Sequence, residues 1–114
     1  MSDAVVDPAS EYRRLAVAWD EARDVPADAN RLFDQLHGFY KSIRDADAGR
    51  AAIQSLLDDP VTAVRLSAAT HALPFAPVQA TEVLEAIERE DSLHSVTAKW
   101  TLRSFRAGSL DVDW

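Results

Sequence analysis

The chain has no cysteine. That one absence removes disulfide frameworks, thiolate-ligated zinc, iron–sulfur clusters and thiol catalysis together, so packing must hold the fold. Glycine occurs only three times, and no Walker loop, dinucleotide fingerprint or Gly-x-Ser-x-Gly elbow is present. No run approaches the ~18 consecutive apolar residues of a membrane span, and residues 1–10 have neither the basic start nor the apolar stretch of a signal peptide. No membrane partner is expected, and the expected location is the cytoplasm. Basic residues are the minority, 12 Lys and Arg against 19 Asp and Glu, which leaves a formal charge of −7. The average field of such a chain repels phosphate backbones and anionic lipid, so nucleic acid is a disfavoured partner.

What is present fits a folded protein. Residues AVILMFWYC make up 47% and DEKR 27% of 114 residues, too apolar for a disordered chain and the right length for one domain spanning 1–114. Five prolines, at Pro8, Pro26, Pro60, Pro74 and Pro77, divide the chain into pieces of helical length. Between them apolar residues recur at i, i+3, i+4 and i+7, and only the short tail alternates like a strand. The expected fold class is therefore all-α, with about six helices in three hairpins.

The first helix, Ala9 to Ala22, carries Tyr12, Leu15, Ala16 and Trp19 on one stripe. A second starts after Pro26 and carries Leu32, Phe33, Leu36, Phe39, Tyr40 and Ile43, with the proline in the first turn, where its missing N–H costs nothing. A third, Gly49 to Leu57, stops before the Asp58-Asp59-Pro60 corner. The fourth, Val61 to Leu73, is apolar over more than half its circumference and should be sandwiched between neighbours. A fifth runs from Pro77 to Glu90, and a sixth from Ser92 to Ala107, where Gly108 can cap it. Residues 1–8 are expected to be flexible, and 109–114 to form a tail on the last helix.

Shifting the fourth helix by 29 positions lays Ala69 on Ala98 and Leu73 on Leu102, a weak internal repeat of the size that stacks into solenoids. The stretch Leu56-Leu57-Asp58-Asp59-Pro60-Val61-Thr62-Ala63-Val64-Arg65-Leu66-Ser67-Ala68-Ala69 resembles a HEAT-type repeat, with its leucine pair, Asp-Pro corner and Val-Arg-x-x-Ala-Ala second helix. The longer run from Gly49 to Leu110 resembles a small bacterial HEAT-like domain family of unknown function. The resemblance implies a right-handed α-α superhelix, a HEAT-like α-solenoid. Small, acidic, single-domain families of that kind resemble immunity proteins of polymorphic toxin systems, which bind a toxin domain and block it. The implied activity is protein binding, not catalysis, with no cofactor.

Several residues stand out against this frame. Arg65 falls in the apolar sector of its helix, and a buried guanidinium needs a carboxylate. By the same resemblance, Asp58 or Asp59 at the corner would supply it in a structural ion pair. Glu82, Glu85, Glu88, Glu90 and Asp91 crowd the fifth helix and its exit against a single Arg89. Acids at a helix C-terminus oppose its dipole. With Asp58 and Asp59 they offer either a solvated face or an edge that steers a basic partner, such as a nuclease toxin. The sixth helix has two apolar faces, Leu93, Val96 and Trp100 on one and Ala98, Leu102 and Phe105 on the other. Either the tail Leu110-Asp111-Val112-Asp113-Trp114 covers the spare face, which is the expectation adopted here, or Trp100 anchors a partner there.

Lys99, Arg103 and Arg106 form a short basic stripe that would suit phosphate in the manner of HEAT-like alkylpurine DNA glycosylases, though three charges are few against −7. His37, His71 and His94 lie on three different helices without metal-ligand spacing, so neither a metal site nor catalysis is expected. The leading expectation is a toxin-neutralising protein-binding module; a scaffold module in a housekeeping complex is the alternative.

Overall fold

The computed structural model describes residues 7–112. Among them are six α-helices and no strand: α1 (Pro8–Glu21), α2 (Pro26–Ile43), α3 (Asp47–Ser55), α4 (Thr62–Ala72), α5 (Pro77–Arg89) and α6 (Ser95–Arg106). A 3₁₀ turn, Leu56–Asp58, extends α3 toward the corner. None of these helices is long and apolar enough to cross a membrane. The all-helical expectation holds, with boundaries shifted by a few residues.

Local chemistry sets the ends. Proline occupies the first helical position of α1, α2 and α5, where a missing N–H leaves nothing unsatisfied. Asp7 caps α1 by accepting from the Ser10 N–H at 3.3 Å. Helical order thus begins within the segment expected to be flexible, of which residues 1–6 lie outside the described residues. The sixth helix starts at Ser95 and not at Ser92, because Asp91 takes a left-handed φ of 53°. The Ser92 N–H then donates to Ser95 Oγ at 2.8 Å, while Ser95 Oγ donates to the Ile87 carbonyl at 2.8 Å. These bonds hold residues 91–94 as a turn. At the other end, Gly108 with φ 73° closes α6 as a left-handed cap.

Helix α4 is the middle of the molecule. Ala63, Val64, Leu66, Ser67, Ala68, Ala69, His71 and Ala72 of its eleven residues are buried, and it packs on α1, α3 and α5. Its alanines let those neighbours approach closely. Helix α5 buries Ala80, Leu84 and Ile87 between α4 and α6, and α1 pairs with α2 while turning Tyr12, Leu15 and Ala16 into the core.

One glycine is fixed by a close approach. A Cβ on Gly49, in the first turn of α3, would lie 1.8 Å from the Ile43 carbonyl oxygen at the end of α2. Gly38, within α2, has nothing within 4 Å of that position. Gly49→Ala should therefore lose about 1–3 kcal/mol of stability through overpacking. Gly38→Ala should gain ~0.5–1 kcal/mol, since alanine has less backbone freedom than glycine in the unfolded chain and so loses less on forming the helix. Urea unfolding of the two variants checks the pair; equal effects would contradict the α2–α3 contact.

Candidate functional site

The Asp58-Asp59-Pro60 corner brings the 3₁₀ turn against α5. A cleft of about 600 Å³ lies there, with Asp58, Asp59 and Arg65 on one side and Gln79, Glu82 and Val83 on the other. Asp59 turns inward. Its carboxylate accepts the Val61 N–H at 2.9 Å, closing the turn that starts α4, and Arg13 Nε of α1 at 2.7 Å. Burial alone would raise its pKa, but the hydrogen bonds from Arg13 and Val61, with the charges of Arg13 and Arg65, outweigh it and hold the carboxyl below its usual value.

Because Asp59 is engaged in this way, Arg65 goes elsewhere. The expected pairing with Asp58 or Asp59 is replaced by Glu90, whose carboxylate accepts from the Arg65 guanidinium at 2.9 Å, while Thr62 Oγ1 accepts a second bond at 2.8 Å. Arg65 is 20% exposed; it runs out along α4 to the end of α5. The acids of α5 consequently divide. Glu85 accepts from Arg106 at 2.8 Å and Glu90 from Arg65, and Asp91 forms the left-handed turn. Asp58, Glu82 and Glu88 make no ion pair among the described residues and are exposed.

The last helix also departs from expectation. Leu93, Val96 and Trp100 stay 66%, 63% and 55% exposed, so residues 110–112 do not cover that face. They lie beside the groove lined by Thr97 and Thr101, where Leu110 and Val112 pack partly buried against the core and Arg44 donates to the Val112 carbonyl at 3.4 Å. The rest of the expected lid, Asp113 and Trp114, lies outside the described residues. On the exposed face, the Arg103 guanidinium sits 5.0 Å from the Trp100 ring centroid. Two members of the basic stripe, Arg103 and Arg106, are thus engaged within the protein.

Two of the three histidines meet in the core, which their separation in sequence conceals. Tyr12 Oη lies 2.6 Å from His71 Nδ1, and His71 Nε2 lies 3.4 Å from His37 Nδ1. The Tyr40 ring stacks on His71 at 4.0 Å and 6°. All four side chains are buried. Burial, helped by the charges of His37 and Arg44, pushes the His71 pKa down to about 3, and burial pushes the Tyr12 hydroxyl well up. Both groups are neutral at pH 7. The neutral imidazole carries a single ring proton, so one of its nitrogens donates and the other accepts within this network. His94 is separate; its Nε2 lies 3.2 Å from Asp20 of α1. A signal existed for the network, since His71 occupies the middle of the apolar face of α4 and His37 adjoins Leu36 and Tyr40. Among the described residues no group of three or more His, Cys, Asp or Glu is arranged to hold a metal.

Above this network a groove of about 250 Å³ opens between α2, α4 and α6. His37, His71 and Ser67 line it, with Trp19 and Phe33 on one side, Thr97 and Thr101 opposite, and 110–112 closing one end.

An all-helical domain with a buried tyrosine–histidine network is the class these features define. The chain belongs to a family described as a domain of unknown function (DUF2019), which matches residues 12–106 and so includes all four residues of the network. It is similar to the solved crystal structure of the protein RPA1889 from Rhodopseudomonas palustris CGA009, with 29% identity, coverage of 92% of this chain and 90% of that one, and a TM-score of 0.84. No curated protein matches the chain.

The network carries a pH dependence. The folded pKa of His71 lies below the unfolded value of 6.5, so the unfolded state binds the extra proton. Stability is full above about pH 6.5 and falls as the pH drops toward 3. Urea midpoints should decline between pH 6.5 and 4.5, above the range where most carboxylates titrate, and His71→Gln should flatten that decline. An unchanged slope in the variant would remove His71 as its source.

Proposed function

We propose that the chain is a protein-binding module, a HEAT-like α-solenoid of three helical hairpins that acts in the cytoplasm by docking and not by catalysis. The observation that carries this reading is the bare outer face of α6. Leu93, Val96 and Trp100 are three of the large apolar side chains that the described residues leave exposed. They form a single stripe on one helix and its leading turn. Such a stripe with a tryptophan backed by an arginine has the composition of an interface hot spot. The α3–α4 pair, joined through the Asp-Pro corner, and the α5–α6 pair support the repeat reading.

The form of the module that best fits its small size and acidity is an immunity protein whose partner is a basic bacterial toxin domain. Asp58, Glu82 and Glu88 are the acids of the corner and of α5 that internal ion pairs leave available. Their field acts at a distance and speeds encounter with a basic surface, while Trp100 anchors the complex. Asp59, Glu85, Glu90 and Asp91 serve the fold first. Nucleic acid is the weaker reading, because Arg103 covers Trp100 and Arg106 holds Glu85.

Affinity capture from the native lysate at low and high salt tests this. Wild type should retain a protein that Trp100→Ala loses, with the variant's melting temperature nearly unchanged because the ring is already exposed. Reversing Glu82 and Glu88 to Lys should slow association several-fold at low salt and have little effect at high salt. Retention of DNA or RNA with no protein partner would overturn the reading.

A further inference from the structure

The groove between α2, α4 and α6 contains a polar group that the fold does not use. Ser67 is only 7% exposed and lines the groove, yet its hydroxyl makes no hydrogen bond among the described residues. A serine inside a helix ordinarily bonds back to a carbonyl one turn earlier. The neighbouring threonines do so, Thr70 to the Leu66 carbonyl at 2.9 Å and Thr101 to the Thr97 carbonyl at 2.8 Å. Ser67 Oγ is not sealed from solvent, so it is open to the groove and available to a ligand there.

The rest of the lining is aromatic and apolar. Trp19 and Phe33 lie with ring centroids 6.0 Å apart, and Phe33 is nearly parallel to His37 at 20° and 6.4 Å. Leu36 and Leu66 complete the floor. Asp111 is the one acidic residue in the described lining, and it is exposed. The described lining has no Lys or Arg to pair an anion, and the floor has no carboxylate to replace the water a cation would lose. The volume, about 250 Å³, exceeds the roughly 150 Å³ of an apolar cavity that accepts benzene and falls below the ~300 Å³ at which drug-sized sites begin.

We propose that this groove is a binding site for a small uncharged aromatic molecule of about indole size, which places its ring among Trp19, Phe33 and Leu66 and donates its single N–H or O–H to Ser67 Oγ. The site uses a different face of α6, that of Thr97 and Thr101, and does not depend on the protein-binding reading.

Indole itself is the probe, with indene as the ring of equal shape that lacks the N–H. Titrated into the full chain by calorimetry and ¹⁵N NMR, indole should saturate at one equivalent and shift amides in 66–71, 97–101 and 110–112. Ser67→Ala, which substitutes a better helix former, should weaken indole about ten-fold, the equivalent of one lost hydrogen bond, and leave indene unchanged. Thr101→Trp should fill the groove and abolish binding of both; Thr97→Leu serves the same purpose if that variant does not fold. Absence of saturable indole uptake, equal indole affinity in Ser67→Ala, or binding that survives a filled groove would each overturn the proposal.

Discussion

Rings from two helices close on a single imidazole of a third, and the arrangement of the domain follows from that contact. His71 projects from α4 and meets Tyr12 of α1 on Nδ1, His37 of α2 on Nε2 and the face of Tyr40. Taking a charged imidazole out of water costs far more than a neutral one, so the ring enters the core only as its neutral form, with both nitrogens facing a polar neighbour. The first hairpin is thereby keyed to the central helix α4. Alanines on the remaining faces of α4 then allow α3 and α5 to approach, and α6 is added on α5.

Charge is arranged around this core in two kinds of position. Some acids complete local structure: Asp59 closes the turn before α4 and ties it to Arg13 of α1, and Glu90 receives Arg65. These pairs link elements distant in sequence, α1 to the corner and α4 to the end of α5. Others, Asp58, Glu82 and Glu88, remain in solvent. The net charge of −7 is therefore a poor guide to the field a partner meets; the unpaired acids near the cleft are the better one.

Much of the architecture was legible in the residues. Prolines at the first helical position and Gly108 at the end marked helix limits, because backbone rules act locally. The broad apolar surface of Val61 to Leu73 announced a central helix. What escaped was set by direction, not by composition. Arg65 needed a carboxylate, but which one depended on Asp59 being turned toward Val61 and Arg13. The tail could pack, but the side it chose depended on the groove beside Thr97 and Thr101. The histidines were judged by ligand spacing; the apolar faces that carry His37 and His71 marked them for burial, but their encounter across 34 residues is a tertiary event.

The most direct test of the account is the protonation of His71 in the folded protein, followed by the ¹⁵N and ¹³C shifts of its ring. A neutral, buried imidazole should show no titration step as the pH falls from 8 until the protein unfolds in acid. A step near the ordinary value of 6.5, with the fold intact, would contradict it.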